Sequence, residues 1–243
     1  MTLQQILSRL RKAVDEYKMI DDGDKIAVGL SGGKDSLTLL SALAGLRRFY
    51  PKKFDLVAVT VDMGLDYNKQ EVENIKNFCK SLNVEYYIEK TQIAEVVFEA
   101  RKEKSPCSLC ANMRRGALNG MASKLGCNKV ALGHHGDDMI ETFFLSLMYE
   151  GRISTFSPVT YLERANLTVI RPMILLREFE VSSYSKDLPV LHNPCPVNHK
   201  TQREYVKNLL KDIRKEVPKV NDNVLNALTH YERVNLPKKP EDK

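Results

Sequence analysis

Six consecutive residues, Ser31-Gly32-Gly33-Lys34-Asp35-Ser36, stand between a short apolar run, KIAVGL at 25–30, and a helix-forming stretch, LTLLSALAGLRRF at 37–49. A turn in that position offers free backbone N–H groups and the positive end of a helix, so the group it suits is a phosphate. The glycines let backbone approach a ligand, Ser31 and Ser36 add hydroxyl donors, and Lys34 adds a point charge. The pattern is neither the Walker loop nor the dinucleotide fingerprint G-x-G-x-x-G. The competing reading is a tight strand-to-helix turn with no ligand.

The second chemical signal is sulfur. Of five cysteines, Cys107 and Cys110 lie two residues apart in PCSLC, close enough to bind one metal. Two thiolates neither fill a tetrahedral zinc site nor hold a cubane cluster, so a third ligand must come from elsewhere. Cys195, held in an extended stretch by the prolines of HNPCPVNH, is the candidate, whereas Cys79 and Cys127 fall within or beside regular elements and read as packing residues. Three cysteines leave one iron of a [4Fe–4S] cluster open. A zinc site of Cys107, Cys110 and Cys195 with His192 or His199 competes with that reading.

A third group follows the run NKVALG (128–133): Gly133-His134-His135-Gly136-Asp137-Asp138. Gly133 and one imidazole at a strand end suit contacts to a nucleotide and its phosphates, or the histidines are structural. The paired acids either do acid–base work or cap the helix that starts there. Asp62, closing the run FDLVAVTVD (54–62), sits where an α/β sheet places ligand contacts, or it caps the next turn.

The elements needed to position these groups are legible in the hydrophobic pattern. Leu3, Ile6, Leu7, Leu10 and Val14 mark a leading amphipathic helix that Asp21-Asp22-Gly23 stops. Apolar runs at 25–30, 54–62, 84–90 and 128–133 alternate with helical stretches at 37–49, 70–82, about 92–102, and on either side of the fourth run. That alternation predicts an α/β fold, an open parallel sheet with helices on both faces. Beyond Gly151 prolines punctuate short segments, and from Thr201 the chain turns basic and helical. The expected organisation is an N-terminal helix (1–22), a catalytic domain (23–200) and a basic helical extension with its tail (201–243).

Composition narrows the class. A hydrophobic share of 43% with 28% charged residues is globular, and 12 glycines with 10 prolines exclude collagen-like or low-complexity chains. No apolar run approaches the ~20 residues that span a bilayer, and the first residues lack a signal-peptide core, so no membrane partner and a cytoplasmic location are expected. The formal charge of +6 suits a polyanion without demonstrating one. Lys200, Arg203, Lys207, Lys211, Arg214, Lys215 and Lys219 recur at helical spacing, and Arg47, Arg48, Lys52 and Lys53 form a second group; each is either a phosphate-tracking surface or a solvated face.

The 31–36 hexapeptide resembles the pyrophosphate loop of the N-type ATP pyrophosphatases. With PCSLC followed by Arg114-Arg115, with Gly133-His134-His135-Gly136-Asp137-Asp138 and with Arg171-Pro172, the chain resembles the tRNA 2-thiocytidine synthetase family of iron–sulfur-dependent thiolases over residues 20–210. The resemblance implies ATP with Mg²⁺ at Ser31, Gly32, Gly33, Lys34, Asp35 and Ser36, with Asp62, Met63, Gly133, His134 and Asp137 near the nucleotide. It implies a cluster on Cys107, Cys110 and Cys195, catalytic roles for Asp35, Arg114 and Asp138, and tRNA as partner. A cysteine desulfurase or free sulfide is the implied sulfur donor, and a homodimer the implied assembly.

The implied reaction is adenylation of the C2 oxygen of an anticodon-loop pyrimidine, most simply cytidine, followed by its replacement with sulfur. The familiar thiocytidine enzymes carry a second C-terminal C-x-x-C, of which Cys195-Pro196-Val197-Asn198 keeps only the first thiol, and the zinc-ribbon cysteines of the thiouridine branch are absent. Two rivals stand: a ligase or amidotransferase of lysidine-synthetase type sharing the loop, and a metal-bearing nucleotide- or RNA-binding module without turnover.

Overall fold

The computed structural model describes residues 1–100, 106–192, 194–195, 202–233 and 235–236. Helix α1 (Leu3–Glu16) buries the stripe Ile6, Leu10, Ala13 and Val14, and Thr2 opens it with a capping box. In that box the Gln5 N–H donates to Thr2 Oγ1 and the Thr2 N–H donates to Gln5 Oε1. Strands β1 (Asp24–Gly29), β2 (Phe54–Asp62), β3 (Glu85–Lys90) and β4 (Lys129–Ala131) then alternate with α2 (Lys34–Arg47), α3 (Lys69–Ser81) and α4 (Pro106–Lys124). These are the four runs that the sequence marks as strands. The helix expected near 92–102 is a π-helical segment, Glu95–Ala100, and residues 101 and 102 lie outside the described residues.

The sheet order is β3-β2-β1-β4-β6-β5, and β1 pairs in parallel with both β2 and β4. Two strands were not anticipated: β5 (Val159–Leu162) and β6 (Leu167–Ile170), an antiparallel pair at one edge. Each has four residues, too few to show alternation, and Asn166 supplies the left-handed corner between them at φ 48°. Because β6 runs parallel to β4, the main sheet keeps its direction and only β5 opposes it. Right-handed crossovers from β1 to β2 to β3, and back from β3 to β4, put α2 and α3 on one face and α4 on the other. The switch point therefore lies between β1 and β4, at their carboxyl ends, where open α/β sheets bind ligands.

The chain forms two compact units. The first, Met1–His135 with Ser157–Asn198, contains the sheet. Its core brings Ala27, Val57, Val59, Val130 and Val169 of the strands against Leu118 and Ala122 of α4. Lys129 is buried at the start of β4, where its ammonium donates to the Met19 carbonyl at 2.9 Å and meets Asp24 at 2.7 Å, so the one buried cation there is fully paired.

The second unit, Gly136–Phe156 with His199–Lys243, joins α5 (Gly136–Glu150) to α7 (Gln202–Glu216) and α8 (Val220–Thr229). Ile140, Val206 and Leu210 are its core, flanked by Phe144, Leu145, Val224 and Leu225. Helix α6 (Glu178–Tyr184) belongs to the first unit. Among the described residues no helix is long and apolar enough to cross a membrane.

Candidate active site

Residues 31–36 fold as the strand–turn–helix that their chemistry requires. Gly33 caps α2 without a side-chain acceptor, which leaves the first-turn N–H groups available to an anion. The Ser36 hydroxyl braces the turn: it donates to the Gly33 carbonyl at 2.9 Å and accepts from the Ser31 N–H and the Ser31 hydroxyl, both at 3.2 Å. Lys34 pairs with Asp35 at 2.7 Å and with Glu178 of α6 at 3.4 Å, so its ammonium is held at the rim of the loop. Glu178 carries no motif, and nothing local in the sequence signals that role.

Two glycines are dictated by what surrounds them. Gly32 sits at φ +79°, and a Cβ there would fall 2.6 Å from Cβ of Leu191. The Leu191 N–H donates to the Gly32 carbonyl at 2.9 Å, and the next residue, His192, donates its N–H to Glu71 of α3 at 2.8 Å. Leu191 and His192, four and three residues before Cys195, are thus pinned, Leu191 to the loop and His192 to α3. At Gly133 a Cβ would lie 3.1 Å from the Asp35 carbonyl, so the end of the fourth run packs on the loop backbone itself. Beside it His135 is buried, with Nε2 3.9 Å from Asp35 Oδ1.

Cys110 lies beside the end of β2. Cys107 and Cys110 lie in the first turn and a half of α4, Cys107 exposed and Cys110 half-buried, with Cys110 Sγ 3.6 Å from Met63 Sδ. Met63 packs with Ile93 and Val97 in an apolar cluster that Cys110 flanks, while Asp62 Oδ1 accepts the Gly64 N–H at 2.9 Å and closes the turn.

Burial pushes the Cys110 thiol up, Arg114 one helical turn away pulls it back, and Cys195 and Cys107 raise it further. Tyr67, just past β2, is raised by burial too, with Arg114 opposing and Asp62, Cys110 and Cys195 adding to it. Charge effects of this kind fall off with distance, so Tyr67, Asp62, Arg114, Cys110 and Cys195 share one neighbourhood. Tyr67 was not legible as a site residue, since a lone tyrosine before a helix has no motif.

Three thiols without a carboxylate or imidazole among them are the donor set of an iron–sulfur cluster rather than of magnesium or calcium. Among the described residues no three His, Cys, Asp or Glu side chains already stand in a metal-holding arrangement, so the thiols are neighbours that ligation would draw together. His192 is exposed; His199, the other imidazole considered for zinc, lies outside the described residues, as do Pro196–Asn198.

Cys79 and Cys127 are buried packing residues. Burial pushes the Cys79 thiol up to about 12, so at pH 8 on the order of one molecule in ten thousand carries the reactive thiolate. Iodoacetamide is expected to label Cys107 and spare Cys79 in the native protein, read by peptide mass spectrometry; equal labelling would mean that Cys79 is accessible.

Several basic residues serve the fold. Arg171 Nη1 donates to the Ser157 carbonyl at 2.6 Å and to Thr160 at 3.2 Å, and burial with nearby Arg115 pulls its pKa down to about 10. Arg47 caps the Asn83 carbonyl, and Lys52 the Ile20 carbonyl. In the second unit Arg203 and Lys207 turn to the buried Glu141, at 2.9 and 3.8 Å, whereas Arg214 and Lys219 are exposed. Lys200 lies outside the described residues. Asp137 and Asp138 occupy the first turn of α5, where acidic residues favour a helix start.

The family model of the PP-loop domain matches residues 2–219. The tRNA-cytidine(32) 2-sulfurtransferase of Pelobacter propionicus is 42% identical over 224 residues, covering 90% of this chain and 82% of its own. That of Geobacter sulfurreducens is 39% identical over 230 residues, covering 93% and 89%. Among solved structures, the U34-tRNA thiolase NcsA from Methanococcus maripaludis, determined with its [4Fe–4S] cluster, superposes with a TM-score of 0.76 at 24% identity, over 96% of this chain and 79% of that one, a likeness of fold. The pyrophosphate-type loop at the switch point and the extent of these matches lead to one assignment: the chain belongs to the PP-loop family, in the group of the tRNA-cytidine(32) 2-sulfurtransferases.

Proposed function

We propose that the protein is an ATP-dependent tRNA sulfurtransferase that converts an anticodon-loop cytidine to 2-thiocytidine. The observation that carries this reading is the pinning of the Cys195 segment to the phosphate loop through Leu191 and Gly32, which ties an ATP-type loop and a three-thiol neighbourhood into one unit. Cytidine 32 is the substrate in the names of the relatives, and the same base is taken here.

The loop N–H groups, Ser31 and Lys34 bind the phosphates of ATP, with Mg²⁺ accompanying them, and Ser36 keeps the turn in shape. The C2 oxygen of the base attacks the α-phosphorus, the α–β phosphoanhydride bond breaks, and pyrophosphate leaves. The oxygen is now part of a leaving group. Sulfur replaces it at C2, and AMP departs with the oxygen.

Arg114 opposes negative charge at the thiols and at the departing adenylate. Asp138 assists at the reacting base, the role that the resemblance implies. Cys107, Cys110 and Cys195 would hold a [4Fe–4S] cluster, whose contribution when bound is an iron with a position open to exogenous sulfur. A cysteine desulfurase or free sulfide is the source of that sulfur, and a homodimer the assembly. The base must leave its stack for C2 to be reached.

The test is anaerobic incubation with ATP, sulfide and unmodified tRNA. The expected result is 2-thiocytidine at position 32 with AMP and pyrophosphate formed alongside, in protein holding about four irons and four sulfides per chain. Stoichiometric zinc without iron, or a nitrogen-bearing product, would replace this reading with a ligase.

A further inference from the structure

Within the second unit, one side chain gathers a face of α5. Arg203, in the first turn of α7, places Nη1 2.9 Å from Glu141 Oε2 and 3.8 Å from Asp138 Oδ1, and its Nη2 donates to Thr142 Oγ1 at 3.2 Å. Residues 138, 141 and 142 are one helical turn apart and share a face, so a single planar guanidinium can span them. The packing of Ile140 against Val206 and Leu210 fixes α7 at the right distance.

The carboxylates in this cluster differ in what they need. Glu141 is only 2% exposed; burial drives its pKa up, Asp138 adds to that, and Arg203 and Lys207 work against it. A buried carboxylate is tolerated when it is paired and hydrogen-bonded, so Glu141 anchors the guanidinium at its inner end. Asp138 is 24% exposed and meets the outer side of the same group. Its neighbour Asp137 is held otherwise: Asn221 of α8 donates Nδ2–H to Asp137 Oδ1 at 3.1 Å, with both side chains buried. Adjacent acids of one motif thus have partners on different helices.

We propose that Arg203 is a positioning residue, anchored by Glu141 and aiming Asp138 at the reacting base, while Asn221 restrains Asp137 as a structural acid. The proposal rests on the reading of Asp138 given above. It reassigns a residue of the basic C-terminal stripe from tracking RNA phosphates to orienting a carboxylate.

Removing Arg203 alone would take the 2.9 Å hydrogen-bonded partner from the buried Glu141, leave only Lys207 at 3.8 Å, and risk unfolding. The informative variant is therefore Arg203→Gln with Glu141→Gln, which removes the cation and the buried charge together, checked for a native thermal unfolding transition and compared with Arg203→Lys and Asp138→Asn. The rate of 2-thiocytidine formation is resolved into kcat and the KM for tRNA.

Asp138→Asn is expected to lower kcat by about 10²–10⁴-fold. The paired variant is expected to lower kcat by roughly 10–100-fold with the KM for tRNA unchanged, as slight misplacement of a catalytic group does. Arg203→Lys should recover part of that loss, and the paired change should cost nothing further in the Asp138→Asn background, since groups that act as a unit are non-additive. A raised KM for tRNA with kcat intact would make Arg203 a phosphate contact and overturn the proposal, as would full additivity with Asp138→Asn. Wild-type turnover in Asp138→Asn would instead remove the reading of Asp138 on which the proposal stands.

Discussion

Cys107→Ala, Cys110→Ala and Cys195→Ala are each expected to abolish cluster retention and 2-thiocytidine formation, while Cys79→Ala and Cys127→Ala retain both. The first three share a neighbourhood in which the charge on one is felt by another, and three thiolates are the fewest that hold a cubane with one iron open. Loss of one leaves two, which do not suffice. Cys79 and Cys127 are enclosed by packing side chains, and changing them trims a core instead of a ligand set. The measurement is iron and sulfide content with the visible absorption spectrum after anaerobic reconstitution. Retained iron in the Cys195 variant would show that the third ligand lies elsewhere.

The loop variants separate the other half-reaction. Ser36→Ala removes the hydroxyl that joins Ser31 to the Gly33 carbonyl, and Asp35→Ala removes the carboxylate that lies 2.7 Å from the Lys34 ammonium and 3.9 Å from His135. Stabilisation of developing phosphate charge depends on donors fixed in advance, which these two groups hold in place, and the loss of one such donor costs about 10²–10³-fold in rate. Pyrophosphate release is expected to fall by that order in each variant with iron content unchanged. Release at the wild-type rate in both would remove the loop from the ATP site. Together the two sets dissociate sulfur chemistry from nucleotide chemistry in one chain.

Much of the site was legible because its parts are local. Residues 31–36 carry their own turn geometry, the spacing of Cys107 and Cys110 is a single helical turn, and Asp137-Asp138 mark a helix start. The parallel sheet was legible for a similar reason, since strands buried on both faces are continuous apolar runs.

What stayed hidden is what the fold assembles from a distance. The edge pair β5 and β6 is too short for its periodicity to stand out. Glu178 reaches Lys34 from α6, and Tyr67 joins the thiols through a turn, without any spacing rule linking them. Arg203 looked like one charge in a run of seven because its partners, Asp138 and Glu141, lie far away in the chain. A charge run exposes its sign to sequence reading but not its counter-ions.

The hydrogen bond from Leu191 to Gly32 also has a thermodynamic side. A carbonyl at the tip of the phosphate loop is satisfied by the strand of chain that carries Cys195 four residues later, so the seating of one bears on the conformational freedom of the other. Linkage of this kind is symmetric: whatever factor an occupant of the loop contributes to ordering the cysteine arm, the ordered arm returns to the occupant.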